Sequence, residues 1–180
     1  MDTSKQEALW VLRAQCDDRE ALELLLRSVQ PSLRRYLRGI VGSADADDIL
    51  QEVLVIVFRK LTWLEYPELF RPWAFRIASR AAFRHLKREK RREAREDAAV
   101  PSVPALDPPP SIELSIELLE QLESNAAISP ASRAVLVLHF QEDLSLPEVA
   151  EVLEIPLGTV KSRLAYGLTT LRKQWAKGGV

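Results

Sequence analysis

The chain has 180 residues, 47% hydrophobic and 28% charged, and a formal net charge of −1 at pH 7. That balance belongs to a folded, water-facing protein, and six glycines are too few for a turn-rich β architecture. The longest apolar runs, such as Val53 to Phe58 and Ala134 to Leu138, fall far short of the roughly 18 residues that span a bilayer, which excludes membrane insertion. In chain order, apolar spacing and capping signals predict helices over Lys5 to Gln15, Arg19 to Ser28, Pro31 to Val41, Ala46 to Leu61 and Pro67 to Arg95. Val53 to Phe58 has strand propensity. The acidic start of that segment and the helical recurrence of Ile49, Leu50, Val53, Leu54, Val57 and Leu61 favour helix instead.

Beyond Glu93 the periodicity stops, and Pro101, Pro104, Pro108, Pro109 and Pro110 follow one another closely. Proline fixes φ, removes a donor and disfavours helix at the residue before it, so residues 96–111 read as an extended linker. Helices are then expected over Ile112 to Glu123, Pro130 to Gln141, Pro147 to Leu153 and Leu157 to Trp175. Ser129 before Pro130, the capping box Ser145-Leu-Pro-Glu148, and Pro156 mark their starts. The expected fold is all-α. Two small helical domains, 1–95 and 112–180, are joined by a Pro-rich linker, and each is expected to bury its own core.

The weak net charge conceals a segregation along the chain. Between Leu157 and Val180 five basic residues stand with no acidic one, a net +5; between Arg80 and Arg95 eight stand against two, a net +6. The first of these segments ends a helix-turn-helix pattern: a short capped helix, a break at Glu154-Ile155-Pro156, and a second helix opening with Leu157-Gly158-Thr159-Val160. Val149, Leu153, Ile155, Val160 and Leu164 would supply its core, and small Ala150 the close approach of its helices. The second helix of such a unit lies in the major groove, which makes Thr159, Lys161, Ser162, Arg163 and Tyr166 the candidate reading set. A plain helical hairpin with a solvated basic face satisfies the same local pattern. Glu154 also stands where a tight turn more often has glycine.

Upstream of the other basic run lie Phe70, Trp73, Phe75, Ile77 and Phe83. Aromatic rings beside a cationic track suit an unpaired nucleic-acid strand, because bases stack on rings while the backbone follows the charge. Core packing is the expectation for Phe75, Ile77 and Phe83. Nearer the start of the chain, Asp47, Asp48, Gln51 and Glu52 share one helix face opposite the apolar stripe. Dipole compensation, catalytic carboxylates or a docking face for a basic partner would each produce such a cluster. No nearby histidine, phosphate loop or nucleophile completes an active site, so no enzymatic activity is expected. Cys16 has no disulfide partner, and His85 and His139 give no zinc-ligand spacing, so neither metal nor cofactor is expected. Charged residues interrupt the N-terminal apolar positions, which fits a cytoplasmic protein rather than a secreted one.

Taken in order, Ala46-Asp-Asp-Ile-Leu-Gln-Glu-Val53, Phe70-Arg-Pro-Trp-Ala-Phe-Arg-Ile-Ala78, a basic helix, a proline linker and Gly158-Thr-Val-Lys-Ser-Arg-Leu164 resemble the extracytoplasmic-function group of sigma-70 factors. The resemblance implies that residues 1–95 correspond to sigma region 2 and 112–180 to region 4. It implies docking of Asp47, Asp48, Gln51 and Glu52 on core RNA polymerase. It places Trp73, Arg76, Arg80, Arg84, Lys87, Arg88 and Arg91 at the minus-10 element of promoter DNA and the helix-turn-helix set at the minus-35 element. An anti-sigma factor is a further possible partner. The chain departs from the family pattern at Arg80, usually asparagine, at Arg84, usually acidic, and at Tyr166 and Leu168, usually basic.

Two other readings fit parts of the pattern. A helix-turn-helix regulator with an N-terminal sensor or dimerisation domain accounts for the C-terminal half but gives the acidic face no task. An adaptor that binds polymerase without reading DNA leaves the cationic helices unused. The linker assignment is tested by limited proteolysis, which should cut first between residues 95 and 111. First cleavage inside either half would place the boundary elsewhere.

Overall fold

In a computed structural model the described residues are 3–93 and 127–178. The expected linker 96–111, the helix expected at Ile112 to Glu123 and residue Arg95 lie outside them. The described residues form helices α1 (Thr3–Gln15), α2 (Arg19–Val41), α3 (Ser43–Lys60), α4 (Phe70–Glu93), α5 (Pro130–Phe140), α6 (Leu146–Leu153) and α7 (Leu157–Gly178), with no strand among them. Two 3₁₀ turns, Leu61–Trp63 and Pro67–Leu69, connect α3 to α4. The Pro67 start expected for α4 therefore belongs to a separate turn.

Side-chain chemistry sets the helix starts as the sequence indicates. Asp18 caps α2 by accepting from the Ala21 N–H at 3.0 Å, and its carboxylate lies 2.7 Å from Arg13. That amide and the guanidinium hold the Asp18 carboxyl below the usual carboxylate range. Ser129 accepts from the Ser132 N–H at 3.2 Å at the start of α5. In the capping box of α6 the Glu148 carboxylate accepts from the Ser145 N–H at 2.8 Å, while the Ser145 hydroxyl accepts from the Glu148 N–H at 3.4 Å.

The two helices expected over Arg19 to Ser28 and Pro31 to Val41 are one, α2, with Pro31 inside it. An interior proline costs about 3 kcal/mol. Leu25, Val29, Leu33, Tyr36, Leu37 and Ile40 carry an unbroken buried stripe past it, and each such side chain contributes about 1.5–3 kcal/mol. Pro31 itself faces solvent, so the stripe outweighs the break.

The expectation of two separate cores also gives way. One buried cluster contains Tyr36, Leu50, Val53, Phe70 and Phe75 from the first half together with Val135, Leu138, Val149 and Val152 from the second. Among the described residues a smaller cluster, Ile128, Leu136, Leu168 and Leu171, is private to the second half. Three helices enclose too little apolar surface to stand well alone, so α5 packs on α2 and α6 on α4.

Polar groups complete this seam. Arg133 of α5 donates to the carbonyl of Gly39, which lies in the last turn of α2 where no intrahelical donor remains, and to Ile128 O at 3.0 Å. Arg71 of α4 donates to Glu7 of α1 at 2.9 Å and to Glu142, just after α5, at 2.7 Å. Both carboxylate side chains are almost fully buried, 2% and 4% exposed. Burial pushes the Glu142 carboxyl up, against the opposing pull of Arg71 and Arg35. Within the first half, Tyr36 and Ser79 share a hydrogen bond of 2.6 Å, and the Ser79 hydroxyl donates to Phe75 O at 2.7 Å, tying α2 to α4.

Ala150 of α6 is half-buried and packs against the shared cluster. A close helix approach that the sequence does not signal lies at Gly167 of α7, where an added Cβ would stand 2.7 Å from the Cδ1 of Leu136 on α5. Leu136 is fully buried and has little room to give way. Gly167→Ala should therefore destabilise the protein by about 1–3 kcal/mol, read as a lower midpoint in denaturant unfolding. An unchanged midpoint would mean that α5 and α7 separate without cost.

Candidate nucleic-acid interface

The acidic face lies on α3. Asp47, Asp48, Gln51 and Glu52 are all exposed, as their spacing requires, while Ala46, Ile49, Leu50, Val53 and Val57 are buried on the opposite side. Two of the four carry intramolecular partners: Asp47 accepts from Arg34 at 2.9 Å and Glu52 from Arg84 at 2.6 Å. Asp48 and Gln51 have no side-chain partner among the described residues. The same ridge continues into Val55 and Phe58, 48% and 56% exposed. These two sit in the apolar run Val53 to Phe58, where composition alone marks every residue as a core candidate. Their helical phase is the signal that separates them: Val55 lies three and four positions beyond Glu52 and Gln51, and Phe58 three beyond Val55.

On α4, Trp73, Arg76, Arg80, Arg84, Lys87 and Arg91 recur every three or four residues and so lie along one face, about 27 Å from end to end at 1.5 Å per residue. Arg88 stands beside that stripe. Phe75 is fully buried against Tyr36, ring centroids 5.3 Å apart, and Ile77 and Phe83 pack on the core, as expected of them. Trp73 is half-buried and tilted on Phe70 at 6.3 Å. Lys87, Arg88 and Arg91 are open to solvent. Arg84 is turned toward Glu52 and Arg80 toward Glu154, so two cations of the stripe are engaged within the chain. The connection before α4 adds Trp63 and Tyr66, 76% and 59% exposed, which stood in no sequence motif.

In the C-terminal half, α6, a tight turn and α7 form the expected helix-turn-helix. Glu154 occupies the turn with φ 55° and ψ 44°, the left-handed conformation that glycine adopts most easily. Of the reading set, Lys161 is exposed, while Thr159, Ser162, Arg163 and Tyr166 are half-buried. The Ser162 hydroxyl donates to Thr159 O at 3.0 Å, and desolvation lowers the pKa of the Arg163 guanidinium. Leu168, at a position usually basic in the family, is buried in the small cluster with Leu136. An apolar side chain there serves packing.

Among the described residues there is no group of His, Cys, Asp or Glu able to hold a metal ion, and no helix is long and apolar enough to cross a membrane. Sequence comparison matches residues 25–92 to the sigma-70 region 2 family and residues 126–173 to the sigma-70 region 4 family. The ECF RNA polymerase sigma factor SigW of Bacillus subtilis is 30% identical over 72% of this chain and 75% of its own. The ECF RNA polymerase sigma-E factor of Escherichia coli is 26% identical over 91% of both. Among solved structures, CnrH in complex with the cytosolic domain of CnrY covers 96% of this chain and 98% of its own, with a TM-score of 0.66 and 20% identity. The sigma factor RpoE of Bartonella quintana, in complex with the anti-sigma factor NepR, covers 86% of this chain and 96% of its own with a TM-score of 0.64 and 22% identity. Two family models matched in chain order and 30% identity to SigW over 72% of the chain place this chain among the extracytoplasmic-function sigma factors, the non-enzymatic initiation factors of RNA polymerase.

Proposed function

We propose that this sigma factor divides its work among three surfaces in two domains, residues 1–95 and 112–180, acting in the cytoplasm. The α3 ridge of Asp47, Asp48, Gln51 and Glu52, extended by Val55 and Phe58, docks on core RNA polymerase. The observation that carries this reading is an exposed acidic ridge ending in two solvent-facing apolar side chains, a combination suited to a basic partner surface with an apolar rim. The α4 stripe of Trp73, Arg76, Arg80, Arg84, Lys87, Arg88 and Arg91 holds the opened minus-10 strand. Thr159, Lys161, Ser162, Arg163 and Tyr166 read the minus-35 duplex. The relatives that form complexes with CnrY and NepR suggest an anti-sigma partner for this chain as well.

Docking is tested on the two ridge residues that have no intramolecular partner. Asp48→Lys combined with Gln51→Lys should weaken core binding at least about tenfold, about 1.4 kcal/mol, because like charges then face each other. Helicity by circular dichroism should not change. Wild-type affinity of this double variant for core polymerase would remove the docking assignment.

The two DNA surfaces should respond differently to substitution. Arg163→Ala should cost about 1–3 kcal/mol on a preferred minus-35 duplex and less on scrambled DNA, as expected of a base contact. Lys87→Ala with Arg88→Ala should weaken binding to all sequences and lower the log–log salt slope on single strands by about 1.4. Salt titrations and permanganate footprinting of holoenzyme on one promoter separate the two effects. Equal loss on every duplex for the Arg163 variant, or normal opening by the double variant, would end this division of labour.

A further inference from the structure

Two residues that break the expected pattern meet each other. Arg80 stands where the family usually has asparagine, and Glu154 stands in a left-handed turn position that favours glycine. Across the seam, Arg80 Nε donates to Glu154 Oε2 at 2.9 Å while its Nη2 donates to Oε1, a two-point guanidinium–carboxylate pair. One and two helical turns away, Arg76 and Trp73 of α4 face Glu151 and Val152 of α6 across a cavity of about 140 Å³ that Tyr66 also lines. The helix α6 thus lies against the Trp73 to Arg80 end of the α4 stripe, engaging one edge of Arg80 through Glu154, and leaves Lys87, Arg88 and Arg91 open.

We propose that the free factor closes on itself, with the Glu154 carboxylate standing in for a DNA phosphate on Arg80, so that the second half and the opened promoter strand compete for one guanidinium. The competition rests on the assignment of the α4 stripe to the opened strand; the closure does not. A two-point pair of this kind reproduces the geometry with which arginine holds a phosphate. Its side chains are 61% and 46% exposed, so alone it supplies only the two- to fivefold bias of a surface ion pair. The buried links Arg71–Glu142 and Arg133–Gly39 and the shared apolar cluster hold the halves together. Glu154 decides whether the paired edge of Arg80 is already occupied.

The test uses the full chain with spin labels on the exposed native Cys16 and on Lys173→Cys, in the first and second halves. Double electron–electron resonance should give one narrow distance population for the otherwise unaltered protein. Glu154→Gly, which suits the left-handed backbone, and Glu142→Ala, which leaves Arg71 its pair with Glu7, should each add a longer and broader population, the second the larger. In low salt, a labelled single-stranded DNA of mixed sequence should bind Glu154→Gly two- to fivefold more tightly than wild type, and Glu142→Ala at least as tightly as Glu154→Gly. A broad distribution in the wild type, or a narrow one retained in both variants, would overturn closure. Opening without a gain in DNA affinity would overturn competition. Lys87→Ala with Arg88→Ala, outside the seam, should lose DNA affinity at unchanged distances. If that control binds DNA like wild type, the strand assignment fails and the competition with it, while the distances still judge closure.

Discussion

The guanidinium of Arg71, held between the buried carboxylates of Glu7 and Glu142, is the interaction on which the arrangement of this protein depends. It joins α1, α4 and the segment after α5, and Ser28 of α2 adds a hydrogen bond of 3.0 Å to Glu7. Burying two carboxylates is costly unless a cation pairs with them, and removing one partner of such a cluster costs about 3–5 kcal/mol. The network contributes position more than stability, because an apolar substitute of the same volume could pack as well. An apolar patch tolerates sliding. A guanidinium with two fixed acceptors does not, so the register of the second half on the first is set here.

That register explains two otherwise separate features. It lets Arg133 reach the C-terminal carbonyls of α2, where Gly39 has no helical donor and where the missing side chain gives the arginine stem room, its Cδ 3.4 Å from the position a Cβ would take. It also lays α6 along α4, so that the helix-turn-helix corner arrives at Arg80. A glycine at position 154 would make the same turn with less strain and leave Arg80 free. A left-handed glutamate persists because its surroundings determine it, and its carboxylate has a partner there.

Much of this was legible in the sequence, and the limits have physical causes. Helix starts were readable because Asp18, Ser129 and the Ser145–Glu148 box act within four residues of themselves. The acidic ridge and the α4 stripe were readable because helical spacing alone fixes which side chains share a face. Continuity of α2 through Pro31 was not, since the proline signal is local while the opposing stripe gathers its strength from contacts with α1, α3 and α4. The seam was equally hidden. Glu7, Arg71, Arg133 and Glu142 are single charged residues in unremarkable contexts, brought together from positions up to 135 apart in the chain. Gly167 looked like any helical glycine until Leu136 was placed opposite it.

The closed arrangement does not treat the three surfaces alike. The helices α5 and α6 pack on α2 and α4, while the outer ridge of α3 stays open, with Asp48, Gln51, Val55 and Phe58 facing solvent. Under the proposed reading, a polymerase surface could therefore engage the ridge of the closed factor without first displacing the second half, whereas a DNA phosphate could take the paired edge of Arg80 only by displacing Glu154. The ridge is also wired to the stripe, because Glu52 holds Arg84 at 2.6 Å, one turn along α4 from Arg80. Under the proposed reading, a basic partner that draws Glu52 outward releases Arg84 toward the strand, adding a cation to the open end of the stripe while Glu154 still guards the other. Arginine at both atypical positions then has one rationale: each guanidinium is parked on a carboxylate in the free protein, and its paired edge turns to DNA when a different partner takes that carboxylate or opens the seam.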